Sequence, residues 1–180
     1  KAFVLGFIMC LAHKVMVKSY LWGGMALPVI TEHKVNFYDT DAMAVVHHAN
    51  YIRWFETGRV EYLRKYGITL GDMMEDGYVF PITEVRAKYV SPGRFDDVIC
   101  IETRPRALTK AKMAFTYRVF NKKTGELMVK GFTQNVLTHK ESGKITRLPE
   151  KYYTKLQQAM ADEAVWQELQ AKEENNPHRK

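Results

Sequence analysis

The spacing of hydrophobic residues separates one long helix from a set of strands. Between Asn50 and Tyr66, apolar residues recur at intervals of three and four with charged residues between them, and Gly67 ends the pattern. Alternation with a period of two, typical of half-buried strands, covers four later stretches: 79–90, 97–106, 111–121 and 127–138. Residues 31–38 alternate in the same way and predict a first strand. One strand, one long helix and then about four antiparallel strands make an α+β order.

The remaining segments complete this outline. Turn sequences such as Ser91-Pro92-Gly93 and Lys122-Lys123-Thr124-Gly125 separate the later strands. Residues 68–78 predict a short helix or a loop, residues 144–147 a short last strand, and residues 150–174 a C-terminal helix. Gly58 stands in the middle of the long helix, where glycine costs about 1 kcal/mol relative to alanine. A close approach between this helix and the sheet would explain it.

The composition of the chain limits the kinds of molecule that it is expected to bind. The 180 residues are 46% hydrophobic and carry a net charge of +7, which indicates a folded chain with a basic surface. Such a charge suits nucleic acid, a membrane surface or a phosphate-bearing small molecule, but it is equally typical of a solvated surface. The chain has no run of five or more Lys and Arg residues, which disfavours nucleic acid.

Several kinds of site are absent from the sequence. The two cysteines, Cys10 and Cys100, have neither metal-binding spacing nor a disulfide framework, so a reducing cytoplasm is the expected location and Cys100 is expected in the core. No HExxH, phosphate-binding loop, GxGxxG or GxSxG motif occurs. We therefore predict no metal and no cofactor.

The N-terminal residues stand apart from the pattern of the rest. The apolar run from Ala2 to Ala12 is too short to span a bilayer, so we expect no stable membrane insertion. Residues 1–24 are predicted to be an extension or leader: an upstream addition, a targeting segment or an extra structural element. The predicted organisation is this segment, a folded domain over residues 25–153, and a C-terminal helix and tail over residues 154–180.

The side chains that could take part in a reaction are concentrated just before the long helix. Asp39, Asp41, His47 and His48 fall within ten residues, and Asn50 follows at the predicted helix start. The first turn of a helix offers unpaired N–H groups and a positive dipole end, which stabilise a carbonyl oxygen that gains negative charge. A carboxylate beside such a carbonyl can act as nucleophile or general base. Asp41 could instead simply cap the following turn.

The run from Tyr38 to Tyr51 resembles the motif of the hotdog-fold acyl-CoA thioesterases, in the 4-hydroxybenzoyl-CoA thioesterase and Tol-Pal-associated branches. The likeness continues through Phe80-Pro81-Ile82, residues 95–103 and Arg147-Leu148-Pro149, and covers residues 31–153. It implies a five-stranded antiparallel sheet wrapped around one central helix. It also implies hydrolysis of an acyl-CoA to free acid and CoA without a cofactor, by a homodimer or homotetramer whose active sites lie at the subunit interface.

The resemblance also implies roles for individual residues. Asp41 would attack the thioester directly or activate water, and His48 would polarise the carbonyl through its N–H or assist through its imidazole. Ala49 and Asn50 would help to bind the substrate. Basic residues would hold the phosphates of CoA, with solvated surface charge as the alternative reading for each: Lys110, Lys112, Lys144, Arg147 and Arg94.

Two departures from the family pattern keep other readings open. Ala44 stands where the family usually has glycine, and Phe37 where many Tol-Pal-associated relatives have tyrosine. A missing hydroxyl at residue 37 affects substrate preference more than the reaction. The alternatives are a thioesterase acting on acyl carrier protein and a non-catalytic hotdog protein that binds an acyl group.

Overall fold

A five-stranded antiparallel sheet forms the body of the protein. The computed structural model describes residues 28–174, so the predictions made for residues 1–24 and for Cys10 lie outside the described residues. The main strands are β1 (Val29–Lys34), β3 (Ile82–Tyr89), β4 (Val98–Leu108), β5 (Lys112–Asn121) and β6 (Leu127–Val136). Their order in the sheet is β1-β4-β5-β6-β3. Two short strands, β2 (Tyr78–Val79) and β7 (Thr138–His139), pair separately. The predicted α+β fold with a five-stranded antiparallel sheet is confirmed.

The long helix α1 (His48–Lys65) packs against this sheet and supplies much of the core. The ring of Phe55, on this helix, is fully buried and stacks on Tyr117 of β5, with ring centroids 4.5 Å apart. Tyr62 and Leu63 are buried about two turns farther along. The helix begins two residues before the predicted start and ends one residue earlier. A short helix, α2 (Leu70–Glu75), follows it.

Two glycines allow helix and sheet to approach closely. A Cβ atom on Gly58 of α1 would lie 2.3 Å from Oγ1 of Thr103, and one on Gly131 of β6 would lie 2.3 Å from Cζ of Phe55. Both distances are shorter than non-bonded atoms tolerate. The close approach inferred from Gly58 in the sequence is therefore confirmed, and Gly131 provides a second point of contact.

The first strand was predicted to run through residue 38, and that prediction is wrong. Strand β1 ends at Lys34, and Phe37–Asp39 form a single turn of 3-10 helix. The carboxylate of Asp39 accepts a hydrogen bond from the N–H of Asn36 at 2.8 Å, which draws the chain into the turn. The alternating pattern continues past Lys34 because a pattern of hydrophobic and polar residues does not show that a side chain will accept a backbone N–H.

Two other predicted strands are interrupted or reduced. The stretch 79–90 is divided into β2 and β3 at Phe80-Pro81, because proline has no N–H to give to a neighbouring strand. The stretch 144–147 contributes only an isolated bridge between Ile145 and Thr138.

The C-terminal helix α3 (Glu150–Glu174) has the predicted limits. Its first half belongs to the same unit as the sheet, Pro28–Ala161, and buries Tyr152, Leu156 and Ala159 in the core. The N-terminal end of α3 is tied to the end of α2 because Lys151 Nζ lies 2.5 Å from the carboxylate of Asp76. That contact, with a hydrogen bond from Tyr152, holds the pKa of Asp76 below its usual value.

The described part of the second unit is residues 162–174, the continuation of α3, in which Gln167 donates to Glu163 at 2.9 Å. Within residues 28–174, no helix is long and apolar enough to cross a membrane.

Candidate active site

Asp41 lies at the base of a tight loop that precedes α1. Thr40 and Val46 pair as an isolated bridge and close the loop. The Asp41 N–H donates to the carbonyl of Val45 at 2.9 Å, and its Oδ1 accepts from the N–H of Met43 at 2.8 Å. Its other carboxylate oxygen accepts no hydrogen bond from any residue between 28 and 174. Asp41 is half-buried, so this oxygen is held in place by the loop and remains available.

Ala44 takes the backbone conformation in this loop that favours glycine. Its φ angle is +57°, in the left-handed region, and its N–H donates to the carbonyl of Asp41 at 2.9 Å. A side chain in this conformation costs roughly 1 to 2 kcal/mol. The methyl group of Ala44 therefore adds strain without preventing the turn that presents Asp41.

Asp39 connects the loop to the first turn of α1. Its buried carboxylate accepts from the N–H of Asn36 and lies 3.1 Å from Nε2 of His33. Its carbonyl accepts from the N–H of His47 at 2.8 Å and from the side-chain amide of Asn50 at 2.7 Å. Asp39 and Asn50 are both buried and thus connect the loop to the helix start.

One N–H group at the start of α1 remains unpaired. His47 caps the helix, since its Nδ1 accepts from the N–H of Ala49 at 3.2 Å and its carbonyl accepts from the N–H of Asn50 at 2.9 Å. The N–H of His48 has no acceptor anywhere in the described part of the chain. Of the predicted donors at this terminus, Ala49 is already engaged and His48 is available.

Tyr89, which sequence reasoning missed, lies beside His48. The Tyr89 hydroxyl donates to the carbonyl of His48 at 3.1 Å, and the two rings meet edge to face with centroids 6.4 Å apart. His48 is exposed and stacks on His47, with ring centroids 4.2 Å apart. Burial raises the pKa of the Tyr89 hydroxyl above its ordinary value. Forty-one residues separate Tyr89 from His48, and no local pattern in the sequence brings them together.

Gly93 forms another side of the site. Its carbonyl accepts from the N–H of Val46 at 2.8 Å, and its N–H donates to the hydroxyl of Tyr51 at 3.0 Å. Burial of the Tyr51 hydroxyl raises its pKa. Arg94 follows directly and is exposed, so this predicted phosphate ligand lies next to the loop that holds Asp41.

The other four predicted CoA ligands lie elsewhere on the subunit. Together they form what we call the basic group: Lys110, Lys112, Lys144 and Arg147. All four are exposed, and the N–H of Leu148 donates to the carbonyl of Lys110, which brings Lys110 next to Arg147. Lys112 pairs with Val136, seven residues farther along β6 than Val129, the partner of Tyr89. At strand spacing this is roughly 23 Å, so one subunit does not bring the basic group to His48.

Comparison with known proteins identifies the family of this chain. Residues 35–160 match the family model described as the thioesterase-like superfamily. The chain belongs to the thioesterase-like superfamily. The match confirms the family recognised from the sequence and the assignment of this superfamily member to the thioester hydrolases. The residues in the candidate site are not assigned roles by this comparison.

Individual relatives of this thioesterase-superfamily chain are similar in sequence and in fold. The acyl-CoA thioester hydrolase YbgC of Escherichia coli O6:H1 is 32% identical over 88 residues, which are 49% of this chain and 66% of the relative. The structure of a hypothetical protein from Thermus thermophilus has a TM-score of 0.68 at 32% identity and covers 72% of this chain and 98% of its own. The DHNA-CoA thioesterase from Staphylococcus aureus has a TM-score of 0.69 at 27% identity, with coverages of 77% and 92%.

In the part of the chain that the structure describes, no group of three or more His, Cys, Asp or Glu residues could hold a metal ion.

Proposed function

We propose that the protein is an acyl-CoA thioesterase that hydrolyses the thioester to a free acid and CoA. The observation that carries this proposal is that a loop and the helix it precedes each present one polar group without a hydrogen-bond partner. Asp41 presents a carboxylate oxygen with no hydrogen bond within residues 28–174, and His48 presents an unpaired N–H at the start of α1. Acyl transfer needs a nucleophile or base on one side of the carbonyl and a donor on its oxygen.

In the proposed mechanism, the thioester carbonyl oxygen accepts a hydrogen bond from the N–H of His48. The positive end of the α1 dipole stabilises the negative charge that develops on this oxygen. Asp41 then attacks the carbonyl carbon to form an anhydride that water cleaves, or it removes a proton from an attacking water molecule. Hydrolysis of the anhydride regenerates the Asp41 carboxylate. In both routes the C–S bond breaks, CoA leaves as thiolate or thiol, and one molecule of water is consumed.

We also propose that two subunits share each active site. Strand β3 is the last strand of the sheet, so one of its edges has no neighbour among residues 28–174. Val85 and Tyr89 on this strand are 37% and 47% exposed, which leaves apolar surface beside an unpaired edge. Two β3 strands related by a two-fold axis would run antiparallel, and the start of one would lie beside the Tyr89 end of the other. The basic group of the second subunit would then approach His48 of the first.

The assay that tests the proposed activity is release of CoA by the full chain, followed with a thiol reagent. The substrates are short, medium, long and aromatic acyl-CoAs, each matched with the same acyl group on acyl carrier protein. Turnover of at least one acyl-CoA is expected. Turnover restricted to carrier-protein substrates would instead favour the second candidate, in which the basic group binds an acidic carrier. Binding of acyl-CoA without any hydrolysis would contradict both and favour the non-catalytic reading.

Val85→Glu is expected to separate the proposed dimer into monomers and to reduce turnover at least about tenfold. A charge placed on an apolar edge opposes pairing with a second copy of the same strand. The measurement is molar mass by light scattering, together with kcat, at the same protein concentration. Ile30→Glu on β1, the other edge strand, is the matched control because Ile30 is also β-branched and 45% exposed. A monomeric wild type, or a fully active monomeric variant, would contradict the shared site.

Asp39→Ala is expected to lower kcat by roughly ten- to a hundredfold with little change in KM. The substitution removes the carboxylate that accepts from the Asn36 N–H, so the turn whose backbone carbonyl binds Asn50 is held less firmly, and with it the loop carrying Asp41. Kinetics and thermal unfolding measured on the same samples check this. Glu61→Ala serves as control, since Glu61 pairs with Arg64 at the surface of α1. Equal losses in the two variants would show that Asp39 has no special role.

A further inference from the structure

Two buried residues tie the first turn of α1 to other segments of the subunit. The side-chain amide of Asn50 donates to the carbonyl of Asp39 at 2.7 Å, and the hydroxyl of Tyr51 accepts from the N–H of Gly93 at 3.0 Å. Asn50 and Tyr51 are 6% and 2% exposed, so both contacts are shielded from water. Neither contact involves His48, which is the first residue of the helix.

Tyr89 holds this first residue from the sheet. Its hydroxyl donates to the carbonyl of His48 at 3.1 Å, and its ring meets the His48 ring edge to face. The Tyr89 ring also contacts the ring of Tyr51, with centroids 5.8 Å apart. Tyr89 is the last residue of β3, where it pairs with the fully buried Val129 of β6. The pairing of these two strands therefore sets the place of the hydroxyl beside the helix start.

The two peptide planes that meet at His48 are held by different contacts. The plane that carries the His48 N–H is held through the carbonyl of His47, which accepts from the N–H of Asn50 at 2.9 Å. The next plane is held at both ends, because Nδ1 of His47 accepts from the N–H of Ala49 at 3.2 Å and Tyr89 donates to the His48 carbonyl. Since the His47 imidazole is exposed, the contact from Tyr89 is the one that ties this plane to the sheet.

We propose that Tyr89 is a positioning residue for the reaction. By holding the carbonyl of His48, its hydroxyl keeps the N–H of the same residue directed at the place of the thioester oxygen. This inference rests on the proposed thioesterase function and adds a residue that acts on the site without touching the reacting atoms. A donor stabilises developing charge best when it is oriented in advance, so a small displacement is expected to cost rate more than binding.

The hydroxyl of Tyr89 is suited to this role because it remains a donor. Burial raises its pKa above the ordinary value for tyrosine, so the hydroxyl is protonated and uncharged at neutral pH. A carbonyl oxygen can only accept, which fixes the direction of the hydrogen bond. The contact with His48 is therefore expected to persist throughout the pH range in which the reaction is measured.

The test compares Tyr89→Phe with the wild type in steady-state release of CoA from an acyl-CoA. Phenylalanine keeps the ring that contacts His48 and Tyr51 and removes only the oxygen. We expect kcat to fall about tenfold, KM to change less than about twofold, and the pH dependence of kcat to keep its shape. An unchanged kcat, or a change in KM alone, would overturn the inference. A changed pH profile would also overturn it, because the hydroxyl would then transfer a proton.

Tyr152→Phe is the matched control for the loss of a tyrosine hydroxyl. Tyr152 lies on α3, and its hydroxyl donates to the carboxylate of Asp76 at the end of α2. This variant is expected to be less stable, with kcat within about twofold of the wild type. Equal losses of kcat in Tyr89→Phe and Tyr152→Phe would trace the effect to general stability and overturn the inference. The molar mass of each variant is recorded, and it is expected to equal that of the wild type.

Tyr89→Leu separates the hydroxyl from the ring. Leucine removes both, so its kcat is expected to be no higher than that of Tyr89→Phe. A loss of kcat in Tyr89→Leu without any loss in Tyr89→Phe would assign the effect to the ring and overturn the proposed role of the hydroxyl.

Failure of the thioesterase proposal can be distinguished from failure of this inference. A wild type that hydrolyses no thioester contradicts the proposed function. The hold of Tyr89 on His48 is then measured by amide hydrogen exchange over the first turn of α1, residues 48–52. Exchange of the Ile52 amide, which donates to the His48 carbonyl in a regular helix, is expected to be about fivefold faster in Tyr89→Phe than in the wild type. Equal exchange rates in the two proteins would overturn the inference.

Discussion

Asp41→Asn is expected to lower kcat for acyl-CoA hydrolysis about a thousandfold and to leave KM nearly unchanged. The asparagine keeps an oxygen for the N–H of Met43, so the loop retains its shape. It cannot act as a nucleophile or accept the proton of water, so the loss falls on the chemical step. The measurement is steady-state release of CoA, with molar mass and thermal unfolding recorded for both proteins.

Asp96→Asn is the control for this substitution. Asp96 is an exposed carboxylate paired with Lys34 at the surface, and its φ of +72° is one that asparagine adopts readily. Its turnover should equal that of the wild type. An Asp41→Asn protein that is folded and retains more than about a tenth of the wild-type kcat would show that another group carries the reaction.

Gly58→Val is expected to lower the free energy of unfolding by about 3 kcal/mol. A side chain at this position would begin 2.3 Å from Oγ1 of Thr103 and 3.1 Å from Cγ2 of Ile101, both on the buried face of β4. Helix and sheet would have to separate to admit it, which opens gaps elsewhere in the core. Urea unfolding at a fixed protein concentration measures the effect.

Thr57→Val tests whether this loss comes from the contact or from the residue type. Thr57 is the preceding residue of α1, is exposed, and differs from valine by one group of similar size. A change within about 0.5 kcal/mol is expected there. Similar losses at residues 57 and 58 would trace the effect to the poor helix propensity of valine, and the tight packing would then not be its cause.

Those parts of the fold set by local periodicity could be predicted from the sequence. In β5, Met113, Phe115 and Val119 are fully buried as the alternation predicts, because one face of this strand is covered by α1 and the other is more exposed. The ends of elements were harder to predict. Strand β1 ends early because Asp39 captures a backbone N–H, an interaction that depends on one side chain rather than on a period.

Some residues of the candidate site are brought there by pairing between strands that are distant in sequence, so the sequence reveals only part of the site. Asp41 and His48 could be singled out because they are close in sequence to each other and to the helix start. Tyr89 could not, since its place beside His48 follows from how β3 aligns with β6.

The contact between Gly131 and Phe55 has a consequence for how related sequences can diverge. The ring of Phe55 occupies the space that a side chain on Gly131 would need, and Tyr117 stacks on this ring. A larger residue at position 131 is therefore compatible with this fold only if position 55 becomes smaller. The residues at positions 55 and 131 should therefore covary among related sequences. A substitution that is neutral in one lineage would then destabilise the fold when it is transferred alone into another.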